Sequence, residues 1–152
     1  MTGTITVLFT DLVGSTEHLS DLGDDDADRL RRAYFKILRD TVAQHSGREV
    51  KNLGDGIMAV FASAIDALRC AIDIQRQVHS HNKDKGASLR VRIGLEVGEP
   101  IAEEEDYFGT PVVVAKRLCD SAQGGQIVVS ELVTRLIGSR GASISKTSVC
   151  SP

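Results

Sequence analysis

Arg48-Glu49-Val50-Lys51-Asn52-Leu53-Gly54-Asp55-Gly56-Ile57-Met58-Ala59-Val60-Phe61-Ala62 is the stretch on which the fold turns. Two short apolar runs, residues 48–53 and 57–62, flank Gly54-Asp55-Gly56. Gly and Asp tolerate positive φ, so the stretch reads as a β-hairpin. Upstream, Thr4 to Thr10 is short and rich in β-branched residues and stops at Asp11, which predicts a strand. Between the two, from about Asp24 to His45, Ala27, Leu30, Tyr34, Ile37, Leu38 and Val42 recur at intervals of three and four. That spacing predicts an amphipathic helix, with Asp24-Asp25-Asp26 at its positive N-terminal dipole and Ser46-Gly47 at its end.

Downstream, Ser63 caps a second helix whose buried stripe runs through Ile65, Leu68, Ile72 and Val78, and Asn82–Ala87 reads as a polar loop. Leu89, Val91, Ile93, Leu95 and Val97 alternate with Arg90, Arg92, Gly94 and Glu96, a strand with one polar face. Glu103–Asp106 reads as a charged turn. Over Gly109–Ala122 the local Val112-Val113-Val114 favours a strand, but Val114/Leu118 and Ala115/Cys119 pair at helical spacing, so the segment is assigned to helix. Gln126–Val129 is a strand, and Ser130 caps a last short helix to about Ile137. The resulting order, β-α-β-β-α-β-α-β-α, predicts an α+β domain with a ferredoxin-like βαββαβ core and additional αβα elements. The domain is expected to span residues 1–138, followed by a polar C-terminal tail, 139–152.

The chain has 152 residues, the size of one domain, and 41% hydrophobic residues, enough for a core. Eighteen Lys+Arg against 21 Asp+Glu give a net charge of −3, so no basic excess points to nucleic acid or an anionic membrane. No apolar run approaches the roughly 18 residues of a membrane span. Asp11 closes the first hydrophobic stretch too early for a secretory segment. Cys70, Cys119 and Cys150 form neither a disulfide framework nor a metal knuckle. His18, His45, His79 and His81 lack ligand spacing. These features predict a soluble, cytoplasmic protein.

Asp11, at a strand end, and Asp55, at a hairpin tip, emerge at one end of the sheet if the hairpin pairs beside the first strand. Two close carboxylates repel unless a cation separates them, and hard oxygen ligands suit Mg²⁺ or Mn²⁺. Each is equally an ordinary residue for its place, a turn former and a strand-end cap. The loop Val13-Gly14-Ser15-Thr16 can aim backbone N–H groups at phosphate oxygens, or simply start a helix.

Four stretches occur in order: Phe9-Thr10-Asp11-Leu12-Val13-Gly14-Ser15-Thr16, Lys51 to Phe61, Arg92-Ile93-Gly94-Leu95 and Asp106-Tyr107-Phe108-Gly109. With them the chain resembles the class III nucleotidyl cyclase catalytic domain, particularly bacterial, mycobacterial-looking adenylate cyclases, over roughly residues 4–138. The resemblance implies conversion of ATP to 3′,5′-cyclic AMP and pyrophosphate. It places two Mg²⁺ or Mn²⁺ ions per site on Asp11, Asp55 and the carbonyl of Leu12, and the phosphates on the amides of Val13, Gly14, Ser15 and Thr16. Lys51 and Asp106 fall where the family's adenine-users carry Lys and Asp or Thr. A Lys donor and an Asp acceptor complement adenine N1 and N6. Arg117 falls on the transition-state arginine, which stabilises charge on the α-phosphate.

Two departures stand out. Val113 replaces the Asn that usually precedes the arginine by one helical turn, which implies slower turnover. The usual C-terminal strands have no counterpart in Gly141–Ser151, which implies a weaker dimer. In the family each site is shared across a homodimer, so mutants of Asp11 and Arg117 should complement one another. The alternative is a degenerate, non-catalytic ATP-binding or regulatory domain. A diguanylate cyclase lacks support because no GG(D/E)EF segment is present, and Lys51 disfavours a guanylate cyclase.

Overall fold

The structure, a computed structural model, describes residues 3–14, 22–138 and, as backbone, 149–150. Along the described residues the elements are β1 (Ile5–Leu12), α1 (Asp24–Gln44), β2 (Arg48–Asn52), β3 (Ile57–Phe61), α2 (Ala64–Lys85), β4 (Val91–Gly98), β5 (Ile101–Glu103), β6 (Asp106–Phe108), α3 (Thr110–Ser121), β7 (Ile127–Val129), α4 (Glu131–Ile137) and β8 (Val149–Cys150). The main sheet runs β2-β3-β1-β4-β7-β8. β1 pairs antiparallel with β3 and with β4, which is the ferredoxin-like arrangement expected from the first six elements. β7 extends the sheet parallel to β4, and β8 pairs parallel with β7. Val149 and Cys150 thus form an edge strand inside the segment read from sequence as a polar tail.

Alternation along β1 divides the core. Leu8 and Leu12 pack with Leu38 of α1, Ile74 of α2 and Val133 of α4. Val7 and Phe9 join Met58, Val60 and the α3 residues Ala115 and Cys119 on the opposite face. Each large side chain removed from water contributes roughly 1.5–3 kcal/mol, so these two clusters hold the helices to the sheet. α3 lies so close to β4 that a methyl group at Gly94 would overlap the Cys119 backbone. That contact settles the helical assignment of 110–121: the helix needs its Ala115/Cys119 face against the glycine, and Pro111 begins it.

One local expectation is corrected and one is borne out and extended. Residues 82–85, read as loop, continue α2, which ends at Gly86 in a left-handed cap. The Asn82 side chain there exchanges two hydrogen bonds with the Leu89 backbone, so its polarity serves a tertiary clamp. The charged turn at 103–106 joins a separate hairpin, β5–β6, turned by Glu104 and Glu105 at positive φ.

The β2–β3 tip presses on β1. Gly56 has no room for a side chain, because a Cβ there would overlap the carbonyl oxygen of Thr10. Gly56→Ala should cost about 2–4 kcal/mol, as backbone overlap cannot relax by a rotamer change. For a chain of this size that lowers the melting temperature by roughly 5–15 °C. An unchanged thermal transition would show that the tip does not rest on β1.

Candidate active site

Asp11 and Asp55 come from different segments and are brought together by main-chain pairing. Leu12 N–H donates to the Asp55 carbonyl at 3.1 Å, fastening the hairpin tip to the end of β1. Asp11 continues the face carrying Val7 and Phe9, beside α3. Each carboxylate is met by an arginine. Arg92, its register partner on β4, donates to Asp11 Oδ2 from Nη2 at 2.6 Å and from Nε at 3.1 Å. Arg92 also donates to the Asp120 carbonyl at 2.9 Å. Its pKa is raised, chiefly by the hydrogen bond to Asp11. Arg31 of α1 lies 3.6 Å from Asp55 Oδ1 and donates to the Gly54 carbonyl at 2.6 Å. Alternation placed Arg92 on a polar face, but its partner is 81 residues away, and only the β1–β4 register reveals it.

This donor set fits a hard divalent cation. Among the described residues no cluster of three or more His, Cys, Asp or Glu could hold a metal alone. Mg²⁺ characteristically takes one or two carboxylates and draws its remaining oxygens from water and substrate phosphates. Arg92 uses only Oδ2 of Asp11, so Oδ1 faces no competing guanidinium hydrogen bond.

The loop after β1 is partly described. The Val13 N–H donates to the Arg90 carbonyl at 2.8 Å, which removes it from the amides expected to hold phosphates. Gly14 is exposed, with φ +67°. Ser15 and Thr16 lie outside the described residues.

The residues expected to read a base meet where β2 faces the β5–β6 hairpin. Lys51 Nζ donates to Asp106 Oδ2 at 3.0 Å, joining β2 to β6 across 55 residues of sequence. The Asp106 carboxyl sits below its usual range, chiefly through that hydrogen bond and next through the Tyr107 N–H. Beside them Arg48 donates to the Tyr107 hydroxyl at 3.2 Å and lies over its ring. This second tie is a feature the sequence reading missed, since short strands of three residues carry no period.

Arg117 is exposed on α3 and has no hydrogen-bond or ion-pair partner among the described residues. Val113 lies one helical turn earlier on the same face, 47% exposed. Ile101 and Phe108, cross-strand partners on the β5–β6 hairpin, are also exposed. An apolar surface therefore lies on the elements that carry Asp106 and Arg117. Cys70 and Cys119 are buried, and burial pushes each thiol up to about 12, as for inert core residues.

Comparison with known proteins converges on one family. A profile described as "Adenylate and Guanylate cyclase catalytic domain" matches residues 1–149. An uncharacterised protein of Mycobacterium tuberculosis is 35% identical over 141 residues, covering 91% of this chain and 47% of that protein. Putative adenylate cyclase 3 of Rhizobium meliloti is 30% identical over 137 residues, 88% of this chain and 23% of that protein. The chain thus spans less than half the length of these curated relatives. The crystal structure of an adenylate/guanylate cyclase/hydrolase from Silicibacter pomeroyi superposes with a TM-score of 0.81 at 31% identity, covering 92% of this chain and 83% of that one.

Proposed function

The chain belongs to the adenylate and guanylate cyclase catalytic domain family, and from that premise we propose that it is an adenylate cyclase working as a homodimer. The observation that carries the choice of substrate is the Lys51–Asp106 pair. A cationic donor and an anionic acceptor, held 3.0 Å apart, match the N1 acceptor and N6 donor of adenine. Guanine presents the opposite pattern at the same edge.

In this reading Asp11 and Asp55 hold two divalent cations, Mg²⁺ or Mn²⁺, with the Leu12 carbonyl as a further ligand. Bound there, the metal would supply charge neutralisation for the triphosphate and a lower pKa for the ribose 3′-hydroxyl. The amides of Gly14, Ser15 and Thr16 hold phosphate oxygens. The 3′-oxygen attacks the α-phosphorus, the bond to the bridging oxygen breaks, and pyrophosphate leaves. Arg117 has no intramolecular partner among the described residues, and it serves the site of a second copy by stabilising charge on the α-phosphate. The exposed Ile101, Phe108 and Val113 are apolar surface suited to that contact. Among the described residues no helix is long and apolar enough to cross a membrane.

The test is incubation of the purified chain with Mn²⁺ and either ATP or GTP over a range of protein concentrations. Cyclic AMP is expected, at a rate per chain that rises with concentration, with cyclic GMP a minor product. Dominant cyclic GMP would overturn the substrate assignment. Absence of both products would favour the second reading, a nucleotide-binding regulatory domain, which Val113 motivates because its side chain cannot hydrogen-bond to ribose.

A further inference from the structure

Tyr34 is wholly buried in the core, yet its hydroxyl emerges where β1 ends and the β2–β3 tip returns. It donates to the Asp55 carbonyl oxygen at 2.8 Å and lies 3.3 Å from Thr10 Oγ1. A phenol has one proton, and here it goes to Asp55; Thr10 therefore donates its own proton to Tyr34. Thr10 Oγ1 in turn accepts from the Ile57 N–H at 3.0 Å. Burial raises the Tyr34 pKa, which keeps the phenol neutral and donating. Arg31, three residues earlier and so on the same face of α1, holds the preceding carbonyl, that of Gly54, at 2.6 Å.

The peptide units on both sides of Asp55 are thus gripped from one helix and one strand. The bond to Asp55 leaves its carboxylate untouched. It fixes the peptide plane from which that side chain projects, and hence its separation from Asp11. A cation shared by carboxylates of two segments senses that separation directly.

We propose that Tyr34 is a positioning residue for the cation site, setting the Asp55 carboxylate through its main-chain carbonyl. The inference rests on reading Asp11 and Asp55 as cation-holding residues. Hydrogen-bond partners behind metal ligands commonly change metal affinity by about 10–100-fold when removed. Tyr34→Phe keeps the ring and removes the donor, while the Leu12 N–H still holds the Asp55 carbonyl.

Binding of Mn²⁺ alone, followed by the electron paramagnetic resonance of the free ion, should weaken about tenfold or more in Tyr34→Phe. The Mn²⁺ concentration for half-maximal cyclase activity should move by the same factor, with turnover at saturating Mn²⁺ nearly restored. Val42→Ala, buried on the same helix and remote from the tip, should lower the melting temperature without changing Mn²⁺ affinity. Should Tyr34→Phe fail to fold, Thr10→Ala removes the hydroxyl that directs the Tyr34 proton to Asp55 while sparing the bond itself, and a smaller weakening of Mn²⁺ binding in the same direction is expected. Parent-like Mn²⁺ affinity in the hydroxyl-deleted variant overturns the proposal, as does equal weakening in Val42→Ala. A parent that binds Mn²⁺ but forms no cyclic nucleotide sinks the cyclase reading and leaves this one standing. A parent that binds no Mn²⁺ sinks this one.

Discussion

Asp55→Asn should lower turnover with ATP and Mn²⁺ by about a thousandfold or more. The substitution keeps size and turn propensity, since Asn occupies the same turn conformations as Asp. The main-chain bonds from Tyr34 and Leu12 end on the Asp55 carbonyl and survive the change. The ion pair with Arg31 is half exposed on both sides, at 41% and 46%, so its loss should cost little stability. What disappears is the negative charge that, in the proposed site, would hold a cation. Metal-ion stabilisation of a transferring phosphoryl group amounts to several kcal/mol, and about 4 kcal/mol corresponds to a thousandfold in rate. Turnover and the thermal transition should be measured together. A variant that melts like the parent but keeps more than about a tenth of its activity would remove Asp55 from the reaction.

Much of this arrangement was legible in the order of residues, for identifiable reasons. The alternation through Leu89 to Val97 reports a strand with one buried face, and β4 follows it from Val91. The Gly-Asp-Gly tip announces a hairpin because few other residues accept that backbone, and β2–β3 forms there. Over 110–121, local preference and period disagreed, and tertiary packing of Ala115 and Cys119 decided for the helix. The hairpin β5–β6 was not legible: its strands have three residues each, too few to show a period. Nor were the partners of the site residues. Arg92 on Asp11, Tyr34 on the Asp55 carbonyl and Lys51 on Asp106 join residues 81, 21 and 55 positions apart. Sequence shows which residues can hydrogen-bond, and only the tertiary packing of helices and sheets decides which of them meet. Tyr34 illustrates the loss well. It fits the apolar stripe of α1, so its ring explains its position and hides the work of its hydroxyl.

An equimolar mixture of Asp55→Asn and Arg117→Ala should regain activity that neither variant has alone. Arg117 is exposed and without an ion pair among the described residues, whereas each carboxylate already has an arginine in its own subunit. In the proposed dimer the two substitutions damage opposite halves of a site. Random exchange of subunits makes about half the dimers mixed, and each mixed dimer has one site carrying both faults and one carrying neither. Activity should therefore rise to about a quarter of the parent's. Asp55 is the better member for this test than Asp11. Asp11 also anchors Arg92, which bridges to the Asp120 carbonyl of α3, so removing its charge would disturb the helix carrying Arg117. The variants must be mixed at concentrations where the parent's rate per chain has levelled off, so that dimer formation does not limit the outcome. Recovery that grows with time as subunits exchange would tie the active site to two copies. If the mixture stays as inactive as its components, Arg117 and Asp55 act within one chain, and the exposed face of α3 must be explained otherwise.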